Sequence, residues 1–388
     1  MIFDKLVGPE RPISWMFQFW PVLVSSFVCA LAATWLCKKI AFKFGIVDTP
    51  NDTVKTHKEP VAYLGGVGIL VGLTVGMLIG INCIEGKIYF SKALRMMLGI
   101  LGGASIACFI GVIDDIFDLK PGQKILGQIA AAAVLLVGGV VPSFSFLYLL
   151  FGFTLPPVAE MAAGALVVII FVLGATNSLN LLDGLDGLCA GVTAIMTIAM
   201  LFLAIHLATW ATQGFDNPAD PVRIIVCLAM VGGVCGFLPF NRHPAKIFMG
   251  DAGSMLLGFL VAAMMILFGR YIARWWMASI VVFGLPILDT AVALLRRFIN
   301  KRPLFVSDRG HIYDQMIDRG IPLKKTVAIC YLLTAVYAVI GLAMSQIPAR
   351  RAVFVYVAVF LASGIVVWRL GFLKMEGLRG AIHKKSKA

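Results

Sequence analysis

The stretch Asn177-Ser178-Leu179-Asn180-Leu181-Leu182-Asp183-Gly184-Leu185-Asp186-Gly187-Leu188 decides how the rest of the chain is interpreted. It places two amides and two carboxylates between two long apolar runs, 161–176 and 189–209. Carboxylates are costly in hydrocarbon, so acids wedged between segments of membrane-spanning length need water or a polar partner. The position of the other polar clusters relative to the apolar runs therefore determines the function we expect.

The composition is that of an integral membrane protein. The chain has 388 residues, of which 60% are hydrophobic and 14% charged, whereas soluble domains carry about 25% charged residues. The apolar runs follow one another without a soluble-sized gap, which predicts a single integral membrane domain over 1–388. We expect an all-α polytopic fold with ten to eleven transmembrane helices. The eight cysteines show no CxxC spacing, so no zinc site is expected.

Eleven apolar segments are long enough to be predicted as spans. They cover residues 16–37, 63–82, 95–113, 123–142, 157–176, 187–209, 221–240, 252–269, 274–298, 325–345 and 350–371. A re-entrant piece or small hairpin around 142–157 is left open. No internal repeat is evident, which disfavours a transporter built from inverted repeats.

The basic residues orient the predicted spans. Of the 33 Lys and Arg residues, 23 fall in the loops after odd-numbered spans, in the span ends that adjoin these loops, or in the C-terminal tail. The positive-inside rule places these loops and the C-terminus in the cytoplasm and the N-terminus outside. The net charge of +13 is thus attributed to orientation and to anionic lipids or phosphates, with no nucleic acid expected. The polar clusters all fall in odd-numbered loops, which predicts a cytoplasmic active-site cleft.

An acidic cluster closes the third span. Spacings of three and four would put Asp118 on the same helical face as Asp114 and Asp115. Adjacent carboxylates repel one another, so a cation must compensate. That cation is either a divalent metal or a nearby lysine such as Lys120 or Lys124. The alternative is a solvated acidic loop.

In the opening stretch, Asn177, Asn180, Asp183 and Asp186 recur every three residues. An ideal α-helix would spread these four around its circumference, and the glycines after the two aspartates let the backbone break and turn. Oxygen ligands of this kind suit Mg²⁺, which keeps waters and takes one or two protein groups plus substrate phosphates. The alternative, helix capping, accounts for one or two of the four residues.

The segment Phe248-Met249-Gly250-Asp251-Ala252-Gly253-Ser254 opens the eighth span. Asp251 is either a plain N-cap or part of a site in which two glycines let a phosphate or metal approach free N–H groups. Lys246 supplies a cation on the same side of the membrane.

Two further loops offer anion ligands. Arg309 and His311 are candidate phosphate ligands in the loop between the ninth and tenth spans. The first cytoplasmic loop offers Asp48, His57 and Lys58 as another candidate substrate site. The histidines expected not to be catalytic are His206, His243 and His383.

Taken together, these motifs resemble the polyprenyl-phosphate N-acetylhexosamine-1-phosphate transferases, the family that contains the MraY-like and WecA-like enzymes. The resemblance covers about residues 45–320. It rests on Asp114-Asp115-x-x-Asp118, on Asn177-x-x-Asn180-x-x-Asp183-Gly-Leu-Asp186-Gly-Leu and on Pro244-Ala-Lys-Ile-Phe-Met-Gly-Asp251-Ala-Gly-Ser. His57-Lys58-x-Pro60 and Pro286-x-x-Asp289-Thr290 add weaker support.

The resemblance implies transfer of N-acetylhexosamine 1-phosphate, most simply GlcNAc 1-phosphate, from a UDP-sugar to polyprenyl phosphate, with release of UMP. It implies a multi-pass enzyme of the plasma membrane that catalyses the first membrane step of cell-envelope polysaccharide synthesis. Mg²⁺, with Mn²⁺ as a substitute, is the implied cofactor, and a homodimer is left open. The implied roles are Asp251 and Asn180 for the metal; Asp114, Asp115 and Lys124 for the lipid phosphate; Asp186 for uracil; and Asp48, Arg309 and His311 for the nucleotide sugar. Asp183 is grouped with the catalytic residues without a specific role, and Asn177, His57, Lys58 and Lys246 with the substrate-binding residues.

One departure from the family pattern bears on the branch. WecA-like members usually carry His-x-His-His in the last large loop, where this chain reads His311-Ile312-Tyr313-Asp314. Two of the histidines expected in this loop are therefore missing. The absence of a histidine run argues against the MraY-like alternative, a transferase acting on the UDP-linked muramoyl pentapeptide, and favours the WecA-like branch. An alternative from another class, a multipass transporter or lipid flippase, predicts more ionisable residues within the spans than this sequence has.

Overall fold

Long apolar helices account for most of the chain in the computed structural model, which describes residues 17–49, 59–84, 87–144, 152–210, 219–270, 273–302 and 310–373. The helices are α1 (Trp20–Phe44), α2 (Gly65–Asn82), α3 (Lys87–Phe117), α4 (Pro121–Val137), α5 (Pro157–Leu182), α6 (Leu188–Trp210), α7 (Ala219–Asn241), α8 (Gly250–Gly269), α9 (Ala273–Val282), α10 (Gly284–Ile299), α11 (Ile312–Asp318), α12 (Leu323–Met344) and α13 (Ala349–Arg369). Two short strands, β1 (Val47–Asp48) and β2 (Val61–Ala62), lie between α1 and α2.

The prediction of an all-α polytopic membrane protein is confirmed. Within the described ranges, nine helices are long and apolar enough to cross a membrane, and the bent pair α9–α10 makes a tenth. Helix α4 is apolar but has only 17 residues. Each of the eleven predicted spans coincides with one of these helices or with the bent pair, because spanning length is a local property of the sequence.

Two predicted spans differ from the structure in shape. The ninth bends by 67° between α9 and α10. Pro286 lies in the first turn of α10, where its missing N–H removes no helical hydrogen bond. The fourth ends at Val137, because the chain then turns through Gly139, whose φ is +78°. The hairpin left open around 142–157 falls largely on residues 145–151, which lie outside the described ranges.

Helix α8 is the buried centre of the fold. Its whole spanning segment is covered by other helices, as expected for a helix that is apolar on all sides. Small residues allow this close packing. A Cβ at Gly258 of α8 would lie 2.4 Å from Cα of Thr176 in α5, and a Cβ at Gly111 of α3 would lie 2.3 Å from the backbone N of Ala252 in α8. Helices α3 and α5 therefore approach α8 at backbone contact.

The two strands tie the first loop to the start of α8. They pair antiparallel, with Val47 opposite Ala62 and Asp48 opposite Val61. Phe248 N–H then donates to the carbonyl of Ala62 at 2.9 Å, and Ala62 forms a parallel bridge with Ile247. The loop that carries Asp48 is thus fixed beside the segment that leads into Asp251.

Candidate active site

The polar ends of four helices meet at one end of the bundle. These are the C-terminal ends of α3 and α5 and the N-terminal ends of α4 and α8. Asp115 of α3 accepts hydrogen bonds from the backbone N–H groups of Asp251 and Ala252, at 2.8 and 3.2 Å. Gly250 makes this approach possible, because its φ is +68° and a Cβ there would lie 2.4 Å from Oδ2 of Asp115. Asp115 therefore acts as a cap for α8 supplied from another helix.

Lys124 of α4 lies between Asp114 and Asp251, which together with Asp115 form the group that we call the acid cluster. Its ammonium forms ion pairs with Asp114 and, at 3.1 Å, with Asp251. Asp114 also accepts the backbone N–H of Leu119 at 2.8 Å. Lys124, one of the compensating cations that the sequence left open, thus lies between these two carboxylates. Lys120 instead caps α4.

Asp118 is not on the helical face of the other two acids. Helix α3 ends at Phe117, and Asp118 is exposed with a φ of +51°. The spacing argument was wrong here because it assumed that the helix continued through Asp118.

Asn180 brings the opening stretch into the cluster. Its side-chain N–H donates to Oδ1 of Asp251 at 2.7 Å and to Oγ of Ser254 at 3.1 Å. Asn177, one turn earlier in α5, instead donates to Oε1 of Gln128 in α4 at 3.0 Å. The structure therefore divides the two amides: Asn180 contacts the acid cluster, and Asn177 ties α5 to α4. Ser254 and Gln128 were not singled out from the sequence.

The chain reverses direction between α5 and α6. Helix α5 ends at Leu182 and α6 begins at Leu188, with Gly187 at a φ of +76°. Asp183 lies in this turn, and its carboxyl makes no hydrogen bond or ion pair with any described residue. Burial raises the pKa of Asp183 well above its usual range, and the negative charges of Asp251, Asp115 and Asp186 raise it further.

Asp186 lies at the far end of the same turn, beside the segment that precedes α8. Its Oδ2 is 2.7 Å from Nδ1 of His243 and accepts the backbone N–H of Ala245 at 3.1 Å. His243 is one of the histidines that the sequence predicts not to be catalytic, and no motif marks it as a partner of an acid 57 residues away. Lys246 is exposed, and its ammonium makes no ion pair within the described ranges.

Tyr63 connects the first loop to the acid cluster. Its hydroxyl donates a hydrogen bond to Asp48, and its ring contacts Phe248 with the centroids 6.1 Å apart. Burial raises the pKa of Tyr63, and the charges of Asp48, Asp115 and Asp251 raise it further. The contact with Phe248 places Tyr63 beside the segment that leads into Asp251, although no sequence signal distinguished Tyr63 from other tyrosines. The predicted ligands His57 and Lys58 lie outside the described residues.

The last large loop packs against the end of α5, and His311 in this loop pairs with Asp289 of α10. Its Nδ1 is 2.7 Å from Oδ2 of Asp289, and it stacks on Tyr313 with the ring centroids 5.6 Å apart. The hydroxyl of Tyr313 donates to the carbonyl of Leu181 at 2.8 Å, at the end of α5. Arg309, the other predicted ligand of this loop, lies outside the described residues.

The oxygen donors of the cluster fit a magnesium ion. No group of three or more His, Cys, Asp or Glu side chains arranged to hold a metal occurs in the parts of the chain that the structure describes. Mg²⁺ usually takes only one or two protein carboxylates and completes its shell with waters and substrate phosphates. Asp114 and Asp251 face each other across Lys124, with Asp115 behind them. Three carboxylates against one ammonium leave a negative charge that a divalent cation would neutralise.

Comparison with known proteins agrees with this arrangement. The family model described as "Glycosyl transferase family 4" matches residues 97–269, which include the whole acid cluster. The chain is 30% identical over 336 residues to "Probable undecaprenyl-phosphate N-acetylglucosaminyl 1-phosphate transferase" of Bacillus subtilis (strain 168), covering 86% of each protein.

Two further relatives extend the comparison. "Decaprenyl-phosphate N-acetylglucosaminephosphotransferase" of Mycolicibacterium smegmatis is 30% identical over 91% of this chain and 88% of its own length. "Undecaprenyl-phosphate alpha-N-acetylglucosaminyl 1-phosphate transferase" of Escherichia coli (strain K12) is 26% identical over 82% of each protein. The chain therefore belongs to glycosyl transferase family 4, among the polyprenyl-phosphate N-acetylhexosamine-1-phosphate transferases that its motifs resemble.

Proposed function

We propose that this protein transfers N-acetylglucosamine 1-phosphate from UDP-N-acetylglucosamine to a polyprenyl phosphate and releases UMP. The observation that carries the proposal is the cluster of Asp114, Asp115, Lys124, Asn180 and Asp251, assembled from four helices at one end of a membrane bundle. The relatives named for transfer of N-acetylglucosamine phosphate to undecaprenyl or decaprenyl phosphate support the same substrates. A site at the end of the spans suits one substrate from water and one from the bilayer.

The proposed reaction forms and breaks one bond to phosphorus. An oxygen of the acceptor phosphate attacks the phosphorus that carries the sugar, and the bond from that phosphorus to the bridging oxygen breaks as UMP leaves. A phosphate monoester has a second pKa near 6, so the acceptor is mostly a dianion at neutral pH. No general base is then required, and catalysis depends on alignment and charge neutralisation.

Each residue of the cluster has a proposed task. Asp251 and Asn180 would hold Mg²⁺, which would neutralise the charge that develops on the donor's diphosphate. Among the described residues, Lys124 is the only lysine that pairs with the acid cluster. It would therefore draw the acceptor phosphate toward Asp114 and the metal. Asp115 keeps the first turn of α8 in place through its two backbone hydrogen bonds.

The recognition of the donor is proposed for the residues around the cluster. Asp186 would contact the uracil, with His243 fixing the orientation of its carboxylate at 2.7 Å. Asp48 and His311 would contact the nucleotide sugar. Further residues grouped with substrate binding are Asn177, His57, Lys58, Lys246 and Arg309.

The proposed location is the plasma membrane, with this end of the bundle in the cytoplasm. The bias of Lys and Arg toward the odd-numbered loops supports that orientation. UDP-sugars are water-soluble and made in the cytosol, so the donor would reach the cluster without crossing the bilayer. The product would be the first lipid-linked intermediate of a cell-envelope polysaccharide.

A donor panel tests the proposal. Membranes that contain the protein are incubated with polyprenyl phosphate, Mg²⁺ and either UDP-GlcNAc, UDP-GalNAc or the UDP-linked muramoyl pentapeptide, and UMP release is measured. We expect acceptor-dependent UMP from UDP-GlcNAc and none from membranes that carry Asp251→Ala. Preference for the muramoyl nucleotide would instead assign the MraY-like activity. Absence of UMP with every donor would refute a transferase and favour a transporter.

A further inference from the structure

A buried carboxylate–imidazole pair lies beside the C-terminal end of α5. Asp289 of α10 and His311 are 1% and 5% exposed. Oδ2 of Asp289 is 2.7 Å from Nδ1 of His311, and Oδ1 accepts the backbone N–H of Ile312 at 2.7 Å. Both oxygens of the carboxylate are therefore used on two adjacent residues of the last large loop.

Asp289 is the only acidic residue of α10, and the residues 284–288 and 291–295 on either side of it are apolar or glycine. An ionisable residue in a membrane-spanning segment is costly and usually serves a substrate pathway or a functional partner. A purely structural tie for the loop could be made by a neutral side chain. The carboxylate also fixes the imidazole, because Nδ1 must carry the proton that it shares with Oδ2. The other ring nitrogen, Nε2, makes no hydrogen bond with any described residue.

Contacts on both sides hold this pair against the end of α5. Tyr313 stacks on His311 and donates its hydroxyl to the carbonyl of Leu181. Thr290, next to Asp289, donates to Oγ of Ser178 at 2.9 Å. The imidazole is thus fixed beside the C-terminal end of α5, the helix that carries Asn180.

The charges around the imidazole favour its protonated form. Burial by itself lowers the pKa of His311, but the hydrogen bond and charge of Asp289 and the charge of Asp314 outweigh it, and the pKa is raised. Arg297 of α10 opposes this effect. Arg296, also in α10, donates to the carbonyl of Gly310 at 2.5 Å rather than to the pair. The protonated ring presents an N–H donor at Nε2, which suits a phosphate oxygen.

We propose, building on the transfer reaction proposed above, that Asp289 is a positioning residue: it holds His311 through Nδ1 so that Nε2 donates to a phosphate of the nucleotide-sugar donor. Asp289 itself touches no substrate. Its effect on the reaction passes entirely through the imidazole, and it concerns the donor and not the lipid acceptor.

A double-mutant cycle separates this role from a structural one. Asp289→Ala, His311→Ala and the double variant are purified in detergent, and kcat and KM are measured separately for UDP-GlcNAc and for polyprenyl phosphate. Loss of one hydrogen bond to a charged group predicts that kcat/KM for the donor falls about 10- to 100-fold in each single variant. The double variant should be no worse than His311→Ala, and KM for the acceptor should stay unchanged. Additive losses, or equal losses for both substrates, would overturn the proposal.

The pH profile supplies a second readout. Without the carboxylate, the pKa of His311 falls, so the alkaline limb of the donor kcat/KM profile should move to lower pH in Asp289→Ala. Asp289→Asn, which keeps the shape and lacks the charge, should move it in the same direction and serves if the alanine variant does not fold. An unchanged alkaline limb in a folded Asp289 variant would contradict the proposal.

A matched control is available at another buried aspartate. Asp220 in α7 pairs with Arg223 at 2.5 Å, and both are buried. Asp220→Asn should leave the donor KM and the pH profile as in the wild type, whatever its effect on thermal stability. If the wild-type protein releases no UMP at all, the proposed transfer reaction is refuted. If the wild-type protein releases UMP and the Asp289 variants have the same donor kinetics, only the positioning role is refuted.

Discussion

Substitution of Asp115 distinguishes two roles for the second acid of the cluster. Resemblance assigns Asp115 to the lipid phosphate, whereas in the structure both of its oxygens accept backbone N–H groups, from Asp251 and Ala252. Those bonds hold the first turn of α8 and hence the proposed metal ligand Asp251. We therefore expect Asp115→Ala to weaken Mg²⁺ binding first and acceptor binding only as a consequence.

The size of the effect follows from the two bonds. A hydrogen bond to a charged group contributes about 1.5–3 kcal/mol, and here the donors are two buried backbone N–H groups at the start of a helix. Taking the lower value for each gives about 3 kcal/mol. Because about 1.4 kcal/mol corresponds to a tenfold change in an equilibrium constant, Asp115→Ala should raise the Mg²⁺ concentration for half-maximal activity about 100-fold. Asp115→Asn, which keeps one acceptor oxygen, should have a smaller effect.

The assay measures UMP release at fixed concentrations of both substrates while the Mg²⁺ concentration is varied. The shift in unfolding temperature on addition of Mg²⁺ provides a second readout that does not depend on activity. Ser105→Ala is a suitable control, since Ser105 lies in the same helix and its hydroxyl, among the described residues, bonds only the carbonyl of Leu101. A variant of Asp115 with an unchanged Mg²⁺ dependence and a raised KM for polyprenyl phosphate would refute this reasoning and return Asp115 to the lipid phosphate.

Three more outcomes are expected. Gly111→Ala should lower the free energy of unfolding by about 1–3 kcal/mol and reduce transfer, because the new Cβ would lie 2.3 Å from the backbone N of Ala252. Gly122→Ala is the control, since a Cβ there would have nothing within 4 Å, and it should change neither property. Thermal unfolding and UMP release measure the two effects. Asp183 has a raised pKa, so the folded state binds a proton more tightly than the unfolded state and stability falls as pH rises from the ordinary carboxyl pKa to the raised one. In EDTA, Asp183→Asn should then unfold at a higher temperature than the wild type at neutral pH, with the difference vanishing near pH 4; equal temperatures throughout would contradict the raised pKa. Asp186→Ala should raise KM for UDP-GlcNAc about tenfold, as loss of one charge-assisted hydrogen bond predicts, and an altered acceptor KM alone would exclude its role at the uracil.

The membrane fold could be predicted because its signals are local. A span needs about 20 apolar residues in a row, and each predicted span is found again as a helix or as the bent pair α9–α10. The bend between α9 and α10 and the early end of α4 at Val137 depend on the backbone conformation of single residues such as Gly139. Hydropathy averaged over a window does not resolve either.

The sequence by itself determined which residue types gather at one end of the bundle, because apolar runs of spanning length leave the polar motifs nowhere else to go. Only the tertiary structure decided which of them touch. Asp115 and Asp251 are 136 residues apart, and they meet because Gly111 lets α3 and α8 come into backbone contact. Backbone contacts of this kind depend on the packing of whole helices, so no spacing within one motif could have linked His243 to Asp186 or chosen between Lys120 and Lys124 as the partner of Asp114.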